Sequence, residues 1–227
     1  MPSASDASRK QGERHTKAQL VEAAERLFGR HGLEGVSLRQ IAAAAGSSNP
    51  SVVQYHFGDK LGLVRSIFSH RLAGLEARRG LLLAEAQRKG KMGDPRTLLH
   101  VLLDPLSQEC DRDGQRSYAA FLLGIRVYSV AGARDLVFSL APLSEHIVNL
   151  LRAAVPATPE RLFRFRLKVA SCIYWQALVD LDAERQNAGD LFGPEEAVLA
   201  EALDAGAAML TAAVSAQAAE AFAAEAS

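Results

Sequence analysis

Residues 36–60, VSLRQIAAAAGSSNPSVVQYHFGDK, constrain what this chain can fold into more than any other stretch. Leu38, Ile41, Ala42 and Ala45 recur at the three-and-four spacing that puts apolar side chains on one helical face. Ser37 with Gln40 three residues later has the spacing of a capping box, which satisfies amides left over at a helix start. Gly46 follows the alanine run, where a left-handed residue ends a helix without a Cβ penalty. The chain is therefore expected to turn at residues 46–48. Asn49 offers a side-chain oxygen to free amides and Pro50 has the φ angle suited to a first helical position, so a second helix is expected to open at Pro50.

At 1.5 Å per residue this second helix is only about 10 Å long. Val53 and Phe57, one turn apart, need to face inward, which leaves Ser51, Val52, Gln54 and Tyr55 pointing outward. Glutamine can pair with adenine through two hydrogen bonds, a valine methyl can meet a thymine methyl, and hydroxyls can reach bases or phosphates. The outward set is suited to reading DNA. An ordinary pair of surface helices has the same local pattern, because a helix-turn-helix signal alone is permissive.

The flanking sequence narrows the choice. From Thr16 the chain runs TKAQLVEAAERLFGRHGLEGVSLRQIAAAAG, and from Tyr55 it runs YHFGDKLGLV. A helix ending AAxxLFxxxG, a Ser-Leu-Arg-x-Ile-Ala helix, Ala-Gly before the turn and His-Phe-x-x-Lys opening the next helix occur in that order. Over residues 16–67 the chain resembles the N-terminal domain of the tetracycline-repressor (TetR) family. It departs from the usual pattern in one respect. The segment 46–57 is one residue longer, and Gln54 stands where the family has Tyr, with Tyr55 one place later, as in a variant branch. The resemblance implies an all-α fold: an N-terminal three-helix helix-turn-helix domain followed by a larger helical domain for ligand binding and dimerisation.

The chain's length of 227 residues and 48% hydrophobic composition allow a small domain and a larger one. The formal net charge is zero, but its distribution is uneven. Through His70 there are nine Lys/Arg against six Asp/Glu, and beyond it seventeen against twenty, so the basic excess lies at the end expected to meet DNA. No apolar run has the length of a membrane span and the first residues lack a signal-peptide core, so a cytoplasmic protein with no membrane partner is expected. Cys110 and Cys172 are far apart in sequence, which fits neither a disulfide framework nor a metal site. Residues 1–15 lack apolar periodicity and are expected to form a disordered arm ahead of a DNA-binding domain at 16–69. Thr16 and Gln19 have the spacing of a second capping box, with Leu20, Ala23, Ala24, Leu27 and Phe28 on one face after it.

The rest of the chain is expected to be helical: residues 70–215 as an effector-binding and dimerisation domain, and 216–227 as a frayed tail. Helical segments are read at 95–111, 115–130, 133–155, 159–186 and 194–218, with Pro142 bending or interrupting the third. Segment 159–186 is apolar on more than one side and so needs more than one cover. The final segment adds small residues that permit close approach. Leu199, Leu203, Gly206, Leu210 and Val214 are accordingly expected at a dimer interface, which the resemblance also implies. The resemblance further implies an effector site, for which Cys110, Tyr118, Phe121, Arg126, Tyr128, Trp175 and Gln176 are candidates. Trp175 beside Gln176 is the preferred lining pair, since apolar pockets use a few polar groups to orient a ligand. An aromatic stripe such as Tyr118, Phe121 and Tyr128 is more often the mark of a packed core than of a pocket.

The candidate DNA-contacting residues are Ser37, Arg39, Ser48, Asn49, Ser51, Val52, Gln54, Tyr55, His56 and Lys60. Lys60 opens a helix, where amides and ammonium together suit a phosphate, and the resemblance places a phosphate contact there. No HExxH, GxSxG, P-loop, dinucleotide-binding or metal-ligand pattern is found, so neither catalysis, a metal nor a cofactor is expected. The expected function is a ligand-responsive homodimeric transcriptional regulator, by the resemblance a repressor. Its partners are a palindromic double-stranded DNA operator and a small, largely apolar effector. An activator and a non-specific DNA-binding protein are the alternatives, the latter disfavoured by the balanced charge.

Overall fold

A computed structural model of the chain describes residues 4–127 and 139–224, with side chains at 11–125 and 139–222. The described residues contain helices and turns and no strand, so the fold is all-α. In chain order the helices are α1 (Ala4–His31), α2 (Leu38–Ala44), α3 (Val52–Phe57), α4 (Lys60–Arg88), α5 (Pro95–Leu103), α6 (Ser117–Val127), α7 (Pro142–Ala154), α8 (Glu160–Gln186), α9 (Glu195–Thr211) and α10 (Ala216–Ala224). A 3₁₀ turn, Asp104–Gln108, follows α5. Pro105 has no N–H to continue the α-helical ladder, which is why the expected 95–111 helix tightens there. Pro142 stands at the first position of α7, after a break at Ala141 that follows the helical residues 139–140, so it interrupts the expected 133–155 helix.

The chain divides into two compact units, Met1–Ala73 with Asp111–Leu140, and Gly74–Cys110 with Ala141–Ser227. The sequence-based boundary at 69/70 lies near the first division. Residues 111–127, expected in the C-terminal domain, instead group with the N-terminal helices. In the first unit Phe28, Phe68, Tyr118 and Phe121 form the centre of the core, with Phe68 and Phe121 ring centroids 5.6 Å apart and Tyr118 stacked 5.9 Å from Phe121. Such ring pairs add to the area they bury. A buried ion pair joins α1 to α4: Arg71 Nε donates to Glu25 Oε2 at 2.8 Å and Arg71 Nη2 to Glu25 Oε1 at 2.7 Å. Ser117 Oγ of α6 donates to the same carboxylate at 2.5 Å. Three helices are thus pinned on one fully buried carboxylate.

Two expectations at the N-terminus are corrected. The backbone is helical from Ala4, so residues 4–15 continue α1 rather than preceding it as an arm. No proline interrupts this stretch, and a helix already nucleated on its packed portion propagates through charged residues at little cost. Thr16 therefore lies inside α1, where its hydroxyl donates to Gly12 O at 3.0 Å, and the proposed Thr16–Gln19 capping box does not form.

In the second unit α9 packs on α8 and α5. A Cβ on Gly206 would stand 2.8 Å from Leu99 Cδ2 and 3.3 Å from Ala170 Cβ, so this glycine is what allows the approach. Leu203, Gly206 and Leu210 are buried within their own chain, which corrects their assignment to a dimer interface. Periodicity identified an apolar face, and the chain's own α5 and α8 cover it. Leu199 and Val214 are half-buried. The outer side of α8 carries Phe165, 55% exposed, with Val169 and Cys172 half-buried on the same three-and-four stripe. Arg166 ends α9, donating from Nη1 to Ala212 O at 2.6 Å and from Nη2 to Ala213 O at 3.2 Å. The tail expected to fray contains α10 instead. Among the described residues no single helix is long and apolar enough to cross a membrane.

Candidate nucleic-acid interface

Local chemistry builds the turn between α2 and α3. Ser37 Oγ accepts from Gln40 N at 3.2 Å and Gln40 Oε1 accepts from Ser37 N at 2.8 Å, which completes the expected capping box. At the other end Gly46 has φ +75°. Its N–H donates to Ala43 O at 3.0 Å and that of Ser47 to Ala42 O at 2.9 Å, the paired bonds of a Schellman ending. The start of α3 differs from the expectation. Asn49 Oδ1 accepts from Ser51 N at 3.0 Å and Asn49 O from Val52 N at 3.2 Å, so residues 49–52 form a turn closed by the Asn side chain. Pro50 sits within that turn, and α3 opens two residues later, at Val52.

On α3, Val53 is fully buried and Phe57 half-buried, as their spacing required. Ser51, Gln54 and Tyr55 are exposed, and Val52 and His56 are half-buried. Tyr55 is 81% exposed, its ring meeting that of His56 edge-on at 4.9 Å. Ser37, Arg39, Ser48 and Asn49 are exposed on α2 and the turn. Lys60 has a role the sequence did not reveal. Its Nζ donates to Leu33 O at 2.9 Å and lies 3.9 Å from Glu34 Oε2, tying the α1–α2 connection to the start of α4. At 29% side-chain exposure it keeps donors for solvent or a phosphate. Lys17 of α1 also escaped the sequence reading: its Nζ lies 5.6 Å from the centre of the Phe57 ring. Its signal was position, four residues before the buried Val21 on the same stripe of α1.

The effector candidates separate. Tyr118 and Phe121 belong to the aromatic core of the first unit, while Cys110, Trp175 and Gln176 belong to the second. Cys110 is exposed. Trp175 is buried, but Gln176 is exposed and donates to Asp180 Oδ1 at 2.8 Å, so the two do not line one surface. Adjacent residues on a helix point about 100° apart, which is the reason. Tyr128 and the side chain of Arg126 lie outside the described residues.

A capped helix, a Schellman turn and a short helix with buried Val53 and exposed Gln54 and Tyr55 define a helix-turn-helix of the kind that enters the major groove. Residues 20–67 match the family model described as bacterial regulatory proteins, tetR family. This N-terminal part is a TetR-family helix-turn-helix domain, which indicates a DNA-binding transcription regulator. No curated protein matches the chain.

Proposed function

We propose that the protein is a dimeric repressor that binds a palindromic operator through α3 and leaves it when a small, largely apolar effector binds. One observation carries this reading: Gln54 and Tyr55 are exposed on a helix whose opposite side is anchored by the buried Val53. Ser51, Val52, Gln54 and Tyr55 meet base edges. Ser37, Arg39, Ser48, Asn49, His56 and the remaining Lys60 donors take phosphates. Two copies join through the outer side of α8, at Phe165, Val169 and Cys172, with Leu199 and Val214 of the neighbouring segment at its margin. Water-exposed Phe165 supports that assignment, since a second copy would cover it. Twofold symmetry then sets two reading heads about 34 Å apart, one helical turn of DNA. The effector sits in the second unit beside Trp175, and the protein acts in the cytoplasm.

Selection from random duplex DNA with the purified chain tests the reading. A short inverted repeat is the expected product, and a ligand library should contain compounds that release the protein from it and change Trp175 fluorescence. Uniform binding without an enriched motif overturns it.

A further inference from the structure

The outward face of α3 is defined by what it lacks as much as by what it carries. From Ser47 to Gly58 the chain has no Lys, Arg, Asp or Glu. Guanine is most often read by the fork of an arginine or by a lysine, and the amino group of cytosine by a carboxylate. Neither chemistry is present on α3 or on the turn before it. The charged side chains nearest in sequence are placed for other tasks. Asp59 accepts from Gly62 N at 2.8 Å at the start of α4, and Lys60 is tied to Leu33 O. Arg39 stands in the first turn of α2, the helix that crosses the phosphate backbone in such a motif.

What remains on the face is neutral. Gln54 is exposed and its amide makes no hydrogen bond among the described residues, so its carbonyl and its NH2 are both free to pair. Asn49, the other amide of the segment, already uses its oxygen to close the turn on Ser51. Tyr55 is 81% exposed, and the edge-on contact with His56 at 4.9 Å orients its ring. His56 itself is half-buried, with its ring also 6.0 Å from that of Phe57, and so lies on the flank of the face.

We propose that α3 reads A·T pairs: Gln54 forks on an adenine, donating from its NH2 to N7 and accepting from the N6 amino group, while the Tyr55 ring packs on the 5-methyl group of a neighbouring thymine. The proposal rests on the operator-binding reading above and names the base chemistry of that operator. In the major groove the paired N7 acceptor and N6 donor belong to adenine alone, and the methyl group to thymine alone. The hydroxyls of Ser48 and Ser51 suit any base, so they add contact without changing the choice.

The test uses the full chain and the duplexes it selects from random DNA. The wild type should enrich an A·T pair at a symmetric position whose preference is lost in Gln54→Ala. Substituting 7-deazaadenine for that adenine in one half-site replaces only N7; it should weaken wild-type binding about tenfold and leave Gln54→Ala binding unchanged. Substituting deoxyuridine for the thymines one at a time removes only the methyl group. At one position this should weaken wild-type binding about fourfold, the worth of a single buried methyl, and leave Tyr55→Ala indifferent. Both side chains are exposed, so both variants fold. A motif unchanged in Gln54→Ala, a G·C pair at the position Gln54 governs, or an equal response of wild type and Gln54→Ala to 7-deazaadenine overturns the adenine contact. Deoxyuridine tolerated by the wild type at every position, or equally costly to Tyr55→Ala, overturns the thymine contact. Failure of the underlying reading looks different: the wild-type chain then selects no motif at all, and the base reading falls with it.

Discussion

Replacing Arg71 with methionine should be among the most damaging single changes in the first unit. Glu25 is 0% exposed and Arg71 8% exposed, and the two share two hydrogen bonds, with Ser117 supplying a third to the carboxylate. Methionine keeps much of the aliphatic stem, so little packing is lost and the effect isolates the charge. Removing one partner of a buried, hydrogen-bonded pair costs about 3–5 kcal/mol, because the other charge stays desolvated. Against a total stability of roughly 5–15 kcal/mol that is a large share. At about 2–4 °C per kcal/mol for a chain of this length, the melting temperature should fall by roughly 6–20 °C. Thermal and urea melts followed by far-UV circular dichroism give both quantities. Glu25→Met with Arg71→Met should recover most of the loss, since removing both charges leaves neither stranded, apart from about 1 kcal/mol for the Ser117 hydroxyl. An Arg71→Met chain within about 1 kcal/mol of wild type, or a double variant no better than the single, refutes the argument.

Leu203→Asp should unfold the subunit, whereas Phe165→Asp should give a folded monomer; sedimentation with circular dichroism separates the two, and a folded Leu203→Asp monomer would return that residue to the interface. Gln54→Ala should relax base preference at one symmetric position per half-site by about 1–3 kcal/mol. Lys60→Ala should weaken all sequences alike and also lower stability by about 1 kcal/mol through the lost bond to Leu33 O; a variant that melts like wild type argues against that tie. Asp94 caps α5, and the Thr97 hydroxyl bonded to it holds its carboxyl below the usual carboxylate range. Its contribution is therefore present above the unfolded-state value near pH 4 and is lost as pH falls through the lower folded value. Asp94→Ala should cost about 1 kcal/mol at pH 7 and progressively less in urea melts below pH 4.

What the sequence could determine by itself lies within a few residues along the chain. The Ser37–Gln40 box, the Gly46 ending, the inward Val53 and the outward Gln54 and Tyr55 are local events, decided by capping chemistry and helical period. The order of motifs around them sufficed for the family. The register at the start of α3 was misread because Asn49 closes a turn on Ser51 that competes with helix initiation at Pro50. Extension of α1 to Ala4 was missed because apolar periodicity reports packing, and these turns are carried by propagation from the packed part of the helix. Tertiary structure alone decided the partners of Lys60, Arg71 and Gly206, which lie 27, 46 and 107 residues from Leu33, Glu25 and Leu99. It also decided that Tyr118 and Phe121 complete the N-terminal core and that Leu203 and Leu210 are buried within their own chain. Amphipathic period shows that a face must be covered; which surface covers it depends on how distant helices meet, and that is a property of the assembled fold.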